Sequence, residues 1–299
     1  MNIFKNILVG IDFSAASKQA LKQAARIAQA EGIRPTVVHV VTPSEIEDYQ
    51  RYYKASTDVM LKAFQTGVED IVREELGSSD AAKCEIAIGV PYHELMRAAG
   101  DTNCDLLVLG SRGDNAGAHE VGFFAVKCVR HSPVPVLLNR CGHAKPFDCV
   151  VACVDYSAAT ENVVETAAKV ALDEHAELHI IHAICPPWAR PTHVRYNFQT
   201  IEDEDFKKEY RELLDEQMEA TVRKAREIFP AKIEQHTLEH ASREEALIRY
   251  LRENDADLAV VGRTGNSATA LKQFLVGTTA ERLIHRSPCS VLTVPVKDQ

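Results

Sequence analysis

No apolar run in the sequence approaches the roughly 18 residues that a membrane-crossing helix needs, so a membrane partner is not expected. The N-terminus reads Met-Asn-Ile-Phe-Lys and then Ile7-Leu8-Val9, without the charged, apolar and small-residue regions of a secretory leader. A cytoplasmic protein is the expectation. Positive charge is in short supply: 34 Lys and Arg stand against 43 Asp and Glu, a net charge of −9. Phosphate backbones are held by basic surfaces, so nucleic acid is not an expected partner either. The eight cysteines are scattered, and no Cys/His set has zinc spacing. That excludes a disulfide scaffold and leaves no metal site to name. Also missing are a Walker A lysine motif, a nucleophile elbow, and a G-x-G-x-x-G after the first strand-like run. What is present is ordinary globular composition, 45% hydrophobic and 26% charged, enough for a sizeable core across 299 residues.

The chain repeats itself. Ile7-Leu8-Val9-Gly10-Ile11-Asp12-Phe13-Ser14 matches Val150-Val151-Ala152-Cys153-Val154-Asp155-Tyr156-Ser157. Asp105-Leu106-Leu107-Val108-Leu109-Gly110 matches Asp257-Leu258-Ala259-Val260-Val261-Gly262, and Ser132-Pro133 matches Ser287-Pro288. A period of this length is a duplicated domain, not a solenoid. The break falls in the aperiodic stretch Arg140 to Pro146, which predicts domains at 1–143 and 144–299. The first carries 15 basic and 17 acidic residues, the second 19 and 26, so the acidity sits in the second.

Each half alternates runs apolar on both faces with runs of helical spacing. In the first, strands are expected at 5–12, 36–41, 84–88, 106–109 and 134–138, with helices at 15–30, 44–76, 92–99 and 120–130. In the second, strands are expected at 150–155, 177–183, 233–238, 258–261 and 290–294, with helices at 158–174, 202–229, 243–253 and 270–285. This is an α/β fold with parallel sheets covered on both faces. Open sheets of this kind bind ligands beyond the carboxyl ends of their strands.

Candidate residues gather there. Val261-Gly262-Arg263-Thr264-Gly265 is followed, eleven residues on, by Gly277-Thr278-Thr279. Glycines let backbone N–H groups approach phosphate oxygens, and a helix start adds free N–H groups. The same residues also suit a plain strand-to-helix turn. Asp12 and Asp155 end the first strands; each reads as a ligand-orienting carboxylate or as an Asx turn with Ser14 or Ser157 capping the next helix. His39 and His182 hold equivalent places in the second strands and read as buried structural histidines. The only tryptophan, Trp188, lies in a Pro-rich connector that either walls the same cleft or packs onto a helix.

As an ensemble these residues resemble the universal stress protein family in its tandem form. The resemblance rests on the strand–Asp–x–Ser openings, His39-Val40 and His182-Ala183, the G-x-x-G loops, and the closing Ser-Pro-x-x-Val-Leu strands. It implies two Rossmann-like, adenine nucleotide alpha hydrolase-like domains, each a five-stranded parallel sheet of order 3-2-1-4-5. They would pair as a pseudo-dimer within the chain, with a homodimer of the chain left open. Some members of the family bind ATP or AMP and others do not; for this chain the resemblance leaves open whether Mg²⁺ accompanies the nucleotide. Their motif is Gly, two residues, Gly, nine residues, Gly, then Ser or Thr. Carried across, the second half offers Asp155, Ala183, Gly262, Arg263, Gly265, Gly277, Thr278 and Thr279. The first offers Asp12, Val40, Gly110, Gly113 and Gly122. Both depart from the motif. Eight residues separate Gly113 from Gly122, and Phe123 takes the Ser/Thr place, where its ring supplies no hydroxyl and fills the phosphate position. Eleven residues separate Gly265 from Gly277, but Gly277-Thr278 is intact. The resemblance thus implies a stress-response protein holding its nucleotide mainly in the second half as a regulatory ligand for an unidentified protein partner. A nucleotide-free interaction scaffold and a slow ATP hydrolase are the rivals. No catalytic residue is assigned.

Overall fold

Strands without a polar face need cover on both sides, and the structure, a computed structural model, supplies it with helices. Residues 3–111, 121–140, 142, 144–189, 204–263 and 278–296 are described, apart from the side chains of 278 and 279. The chain divides into two compact units, Asn2–Lys145 and Pro146–Gln299.

The first unit comprises β1 (Ile7–Gly10), α1 (Ala15–Ala30), β2 (Thr36–Val41), α2 (Pro43–Tyr53), α3 (Thr57–Leu76), β3 (Lys83–Ile88), α4 (Pro91–Asp101), β4 (Leu106–Gly110), α5 (Phe123–His131) and β5 (Val136–Asn139). Its strands run in the order β3-β2-β1-β4-β5, and every pair is parallel. The second unit comprises β6 (Cys149–Val154), α6 (Thr160–Glu174), β7 (Glu177–Ile184), α7 (Glu204–Arg226), β8 (Ile233–Glu239), α8 (Arg243–Glu253), β9 (Leu258–Gly262), α9 (Thr278–Arg286) and β10 (Ser290–Val294). Its order, β8-β7-β6-β9-β10, is the same arrangement, again parallel throughout. The core of each unit is the central strands: Leu8, Val9, Leu107 and Val108 in one, Val150, Val151, Ala259 and Val260 in the other, are wholly buried.

The repeated aspartate before the fourth strand has a structural task. Asp105 accepts hydrogen bonds from the Lys5 and Asn6 amides (2.7 and 3.0 Å), and Asp257 from those of Asp148 and Cys149 (2.8 and 3.1 Å). Each carboxylate ties the start of the fourth strand to the start of the first. The pair so aligned is the one at which the chain's winding reverses, and the crevice at its carboxyl end is where such sheets take ligands.

One expected element is corrected. Residues 44–76 do not form a single helix. Lys54 ends α2 in the left-handed region (φ 52°), and Ser56 opens α3 by accepting from the Val59 amide. α2 buries no side chain, so nothing holds it collinear with α3. In the second unit α6 begins two residues later than expected, at Thr160, because Asp155 and Ser157 hold 155–159 as successive turns. The first part of the expected 270–285 helix lies outside the described residues.

Candidate functional site

At the carboxyl end of β1 the chain must leave the sheet and enter a helix. Asp12 Oδ1 accepts from the Ser14 amide at 3.1 Å and from its hydroxyl at 2.6 Å, an Asx turn. Ser14 is the N-cap of α1 and accepts from the Ser17 amide at 3.2 Å. In the second unit Asp155 Oδ1 accepts from the Ser157 amide at 3.1 Å, while Ala159 at the N-cap provides no side-chain bond. Both aspartates are exposed, and only one oxygen of each is engaged in the turn. The cap reading and the ligand reading are therefore compatible.

Between each aspartate and serine stands an aromatic residue in the left-handed region, Phe13 at φ 66° and Tyr156 at φ 55°. That backbone sign aims the ring back under the strand end. Phe13 lies 4.6 Å from the His39 ring, edge to face, and Tyr156 4.4 Å from the His182 ring. Each histidine in turn donates from Nδ1 to the last carbonyl before the aspartate: His39 to Ile11 at 2.9 Å, His182 to Val154 at 2.7 Å. A carbonyl only accepts, so Nδ1 carries the proton in both. Burial holds the His182 ring below the ordinary imidazole pKa, outweighing the Val154 bond, and the ring is neutral. The two histidines are thus structural, as expected, and they brace the turn that presents the carboxylate.

The aromatic shelf went unnoticed in the sequence. Its signal was there: an aromatic residue between Asp and Ser in both repeats. In the first unit the shelf extends through Phe64 of α3, 5.2 Å from His39, to Tyr49 of α2, 5.6 Å further on. In the second unit burial, aided by Asp215, pushes the Tyr156 hydroxyl up to about 12. That hydroxyl and the Thr160 hydroxyl are buried without a hydrogen-bond partner.

The fourth strand supplies the other wall. A Cβ on Gly110 would lie 2.7 Å from the backbone carbon of Ala16 and 2.9 Å from the Ser17 nitrogen, so the bare glycine lets the start of α1 close onto β4. Gly122, the N-cap of α5, donates from its amide to the Ser111 carbonyl at 3.1 Å. That bond brings Gly122 against the end of β4, which carries Gly110, while Gly113 lies outside the described residues. Phe123 is 84% exposed. It stands at the first residue of α5 and faces solvent. Val40 and Ala183 follow their histidines on β2 and β7, half-buried and buried. Gly262 ends β9, and the Arg263 amide donates to the Val294 carbonyl at 2.9 Å. Gly265 and Gly277 lie outside the described residues, as do the side chains of Thr278 and Thr279.

Trp188 packs onto a helix: its ring meets Tyr210 at 5.5 Å and carries the Arg211 guanidinium 5.2 Å above it, and Arg211 holds Glu239 with two bonds of 2.7 and 3.1 Å. Among the described residues no three or more His, Cys, Asp or Glu side chains stand in metal-holding geometry, and no helix is long and apolar enough to cross a membrane.

Comparison with known proteins decides the family. The profile of the universal stress protein family matches residues 3–140 and again residues 146–295. The chain belongs to the universal stress protein family. It is similar to a universal stress protein of Thermus aquaticus, 32% identical over 142 residues that make up 46% of this chain and all of that one. A putative universal stress protein of Staphylococcus saprophyticus is 29% identical over 154 residues, 47% of this chain and 86% of that one. Among solved structures, a universal stress protein from Archaeoglobus fulgidus superposes over 98% of both chains with a TM-score of 0.66 at 21% identity. A putative universal stress protein from Pseudomonas aeruginosa gives 0.64 at 18% identity, over 98% of this chain and 94% of that one. At these identities the superpositions speak for the fold: two universal stress protein domains in tandem, each an α/β parallel sheet.

Proposed function

We propose that the chain is a nucleotide-responsive stress protein that holds an adenine nucleotide, ATP or AMP, mainly in its second unit. The carrying observation is the exposed Asp155 carboxylate at the winding reversal, set on a turn braced by Tyr156 and His182. Such a carboxylate accepts hydrogen bonds from ribose hydroxyls or a base amine. Gly262-Arg263 at the end of β9 and, further along the sequence, Gly277-Thr278 are where backbone amides, Arg263 and the Thr278 and Thr279 hydroxyls would meet phosphates. The Tyr156 and Thr160 hydroxyls, buried without partners, add polar capacity beside it. In this reading the nucleotide acts as a bound signal that sets affinity for a protein partner.

Equilibrium binding of ATP and AMP to the full-length protein tests this. Asp155→Ala is expected to weaken binding about tenfold or more, the loss of a charge-assisted hydrogen bond. Asp12→Ala is expected to leave it unchanged. The reverse ranking would move the site to the first unit, and no binding at all would leave the second reading. That reading is a nucleotide-free interaction scaffold, favoured by the solvent-facing Phe123 and by Tyr52 and Tyr53, 72% and 73% exposed, on the first unit.

A further inference from the structure

Two pairs of equivalent helices in the repeats differ at one set of positions, polar in the second repeat and aromatic in the first. Helices α5 and α9 are both nine residues long, beginning at Phe123 and Thr278, and α4 and α8 are both eleven, beginning at Pro91 and Arg243. Residue for residue, Phe123, Phe124 and Lys127 of α5 answer to Thr278, Thr279 and Arg282 of α9, and Tyr92 of α4 answers to Glu244 of α8. In the second unit the cation and the acid pair, with Arg282 Nη1 3.3 Å from Glu244 Oε2. In the first unit the cation remains but a ring replaces the acid, and Lys127 Nζ lies 4.5 Å above the centre of Tyr92. Val90, the N-cap of α4 and 53% exposed, likewise stands where the second repeat has Ser242.

The first-unit residues form a stripe. Positions three and four apart on a helix are neighbours, so Phe123 and Phe124 lie one turn from Lys127, and Lys127 one turn from His131. Tyr92 lies along the other end of the stripe, its ring 6.1 Å from that of His131. The apolar end faces solvent, Phe123 being 84% and Phe124 36% exposed. A ring as exposed as that of Phe123 adds little burial to the fold. The charge along the stripe is of one sign. Helix α5 holds Lys127, Arg130 and His131 and no acid, whereas α9 holds Glu281. On α4, Tyr92 and His93 stand where α8 has Glu244 and Glu245, and the next residue, Glu94, is held by Arg97 at 2.9 Å.

We propose that this stripe of the first unit docks an acidic segment of a partner protein, with an apolar side chain of that segment on Phe123 and Phe124 and a carboxylate on Lys127. Exposed aromatic rings supply the apolar anchor of an interface, and a bordering cation selects the sign of the charge that approaches. Lys127 is half-buried against Tyr92, so it is positioned before anything binds. A basic or uncharged segment would meet the same rings but leave the cation without a partner. In the second unit Glu244 already occupies Arg282, so the equivalent cation is engaged from within. Such docking gives the partner in the proposed function its chemistry, and it rests on that reading only in expecting a protein partner.

Fluorescence anisotropy of the labelled peptide Glu-Glu-Leu-Phe-Glu-Glu-Leu-Phe with the full-length, nucleotide-free protein tests the surface. Saturable binding is expected, weakened about tenfold or more in Phe123→Ser and in Lys127→Glu. It should also weaken as salt rises from about 0.05 to 0.3 M. The same peptide with Lys in place of Glu should bind about tenfold more weakly or worse. Val59→Ser, at a 61% exposed apolar site on α3, should bind as the unaltered protein does. Phe123 is exposed, so its variant keeps the fold and decides the matter. No saturable binding, equal affinity in Phe123→Ser, or equal affinity for the Lys peptide would overturn the assignment. So would a dimer, seen by sedimentation, that Phe123→Ser dissolves while the peptide fails to bind, since the stripe would then serve a second copy. Binding to phosphatidylserine vesicles without binding to the peptide would overturn it as well. Because no nucleotide is present, failure here leaves ATP binding untouched, and failure of ATP binding leaves this result untouched.

Discussion

An aromatic residue with positive φ carries a backbone strain of about 1 to 3 kcal/mol, and this chain has one after each strand-end aspartate. The strain is offset by the ring's contact with a buried histidine, 4.6 Å away in one repeat and 4.4 Å in the other. In the second unit that contact has a pH signature. Burial lowers the pKa of His182 in the folded protein, so the unfolded chain takes up the proton first. The stability is fully present above pH about 6.5 and is lost as pH falls through the lower folded value, each tenfold difference in proton affinity between the two states being worth about 1.4 kcal/mol. Trp188, the only tryptophan, reports on this unit. Urea unfolding followed by its fluorescence should show a midpoint that drops between neutral pH and mild acid. His182→Gln should flatten that dependence, and an unchanged slope would mean that other groups set it.

Elements were legible where side-chain pattern alone decides them. Helix α1 at 15–30, β2 at 36–41, α8 at 243–253 and β10 at 290–294 lie where spacing puts them, because each shows one apolar stripe or an unbroken apolar run. The α2–α3 break was not legible, since it falls at Lys54, a residue with no preference for the left-handed region that ends the helix. At the candidate site Asp12 and Asp155 could be read as turn residues from sequence, whereas the ring shelf depends on φ at Phe13 and Tyr156, which no composition reveals. Gly110 was read as a phosphate-loop glycine, yet its measurable role is to let α1 approach β4. Gly110→Ala should therefore destabilise the first unit by about 1 to 3 kcal/mol, because the added methyl meets rigid helix backbone. Gly10→Ala should be milder, since its tightest contact, at 2.7 Å, is the movable end of Leu109. Far-ultraviolet dichroism during thermal unfolding compares the two, and equal losses would remove the close-approach argument.

Over the whole molecule, charge divides unequally between the repeats. The second half holds 26 acidic against 19 basic residues and is the one proposed to bind an anion. Local amides must then overcome a repulsive surrounding field. Screening should help: between about 0.01 and 0.1 M salt the Debye length falls from about 30 to 10 Å, while contact-range bonds are little affected. ATP affinity is expected to hold or rise over that range, more so than AMP affinity, whereas a steep fall would point to a basic site. The duplicated strand order has a further consequence, for the way the chain reaches its native state. Two sheets of order 3-2-1-4-5 on one polypeptide are rival templates, because a strand of one repeat meets a near-equivalent slot in the other. The slots differ most at their outer strands, Lys-Cys-Glu-Ile-Ala-Ile in β3 and Ile-Glu-Gln-His-Thr-Leu-Glu in β8. The central strands are much more alike. Order of synthesis eases the competition: domains generally fold as units with the N-terminal one first, so the first repeat can close while its rival is still untranslated.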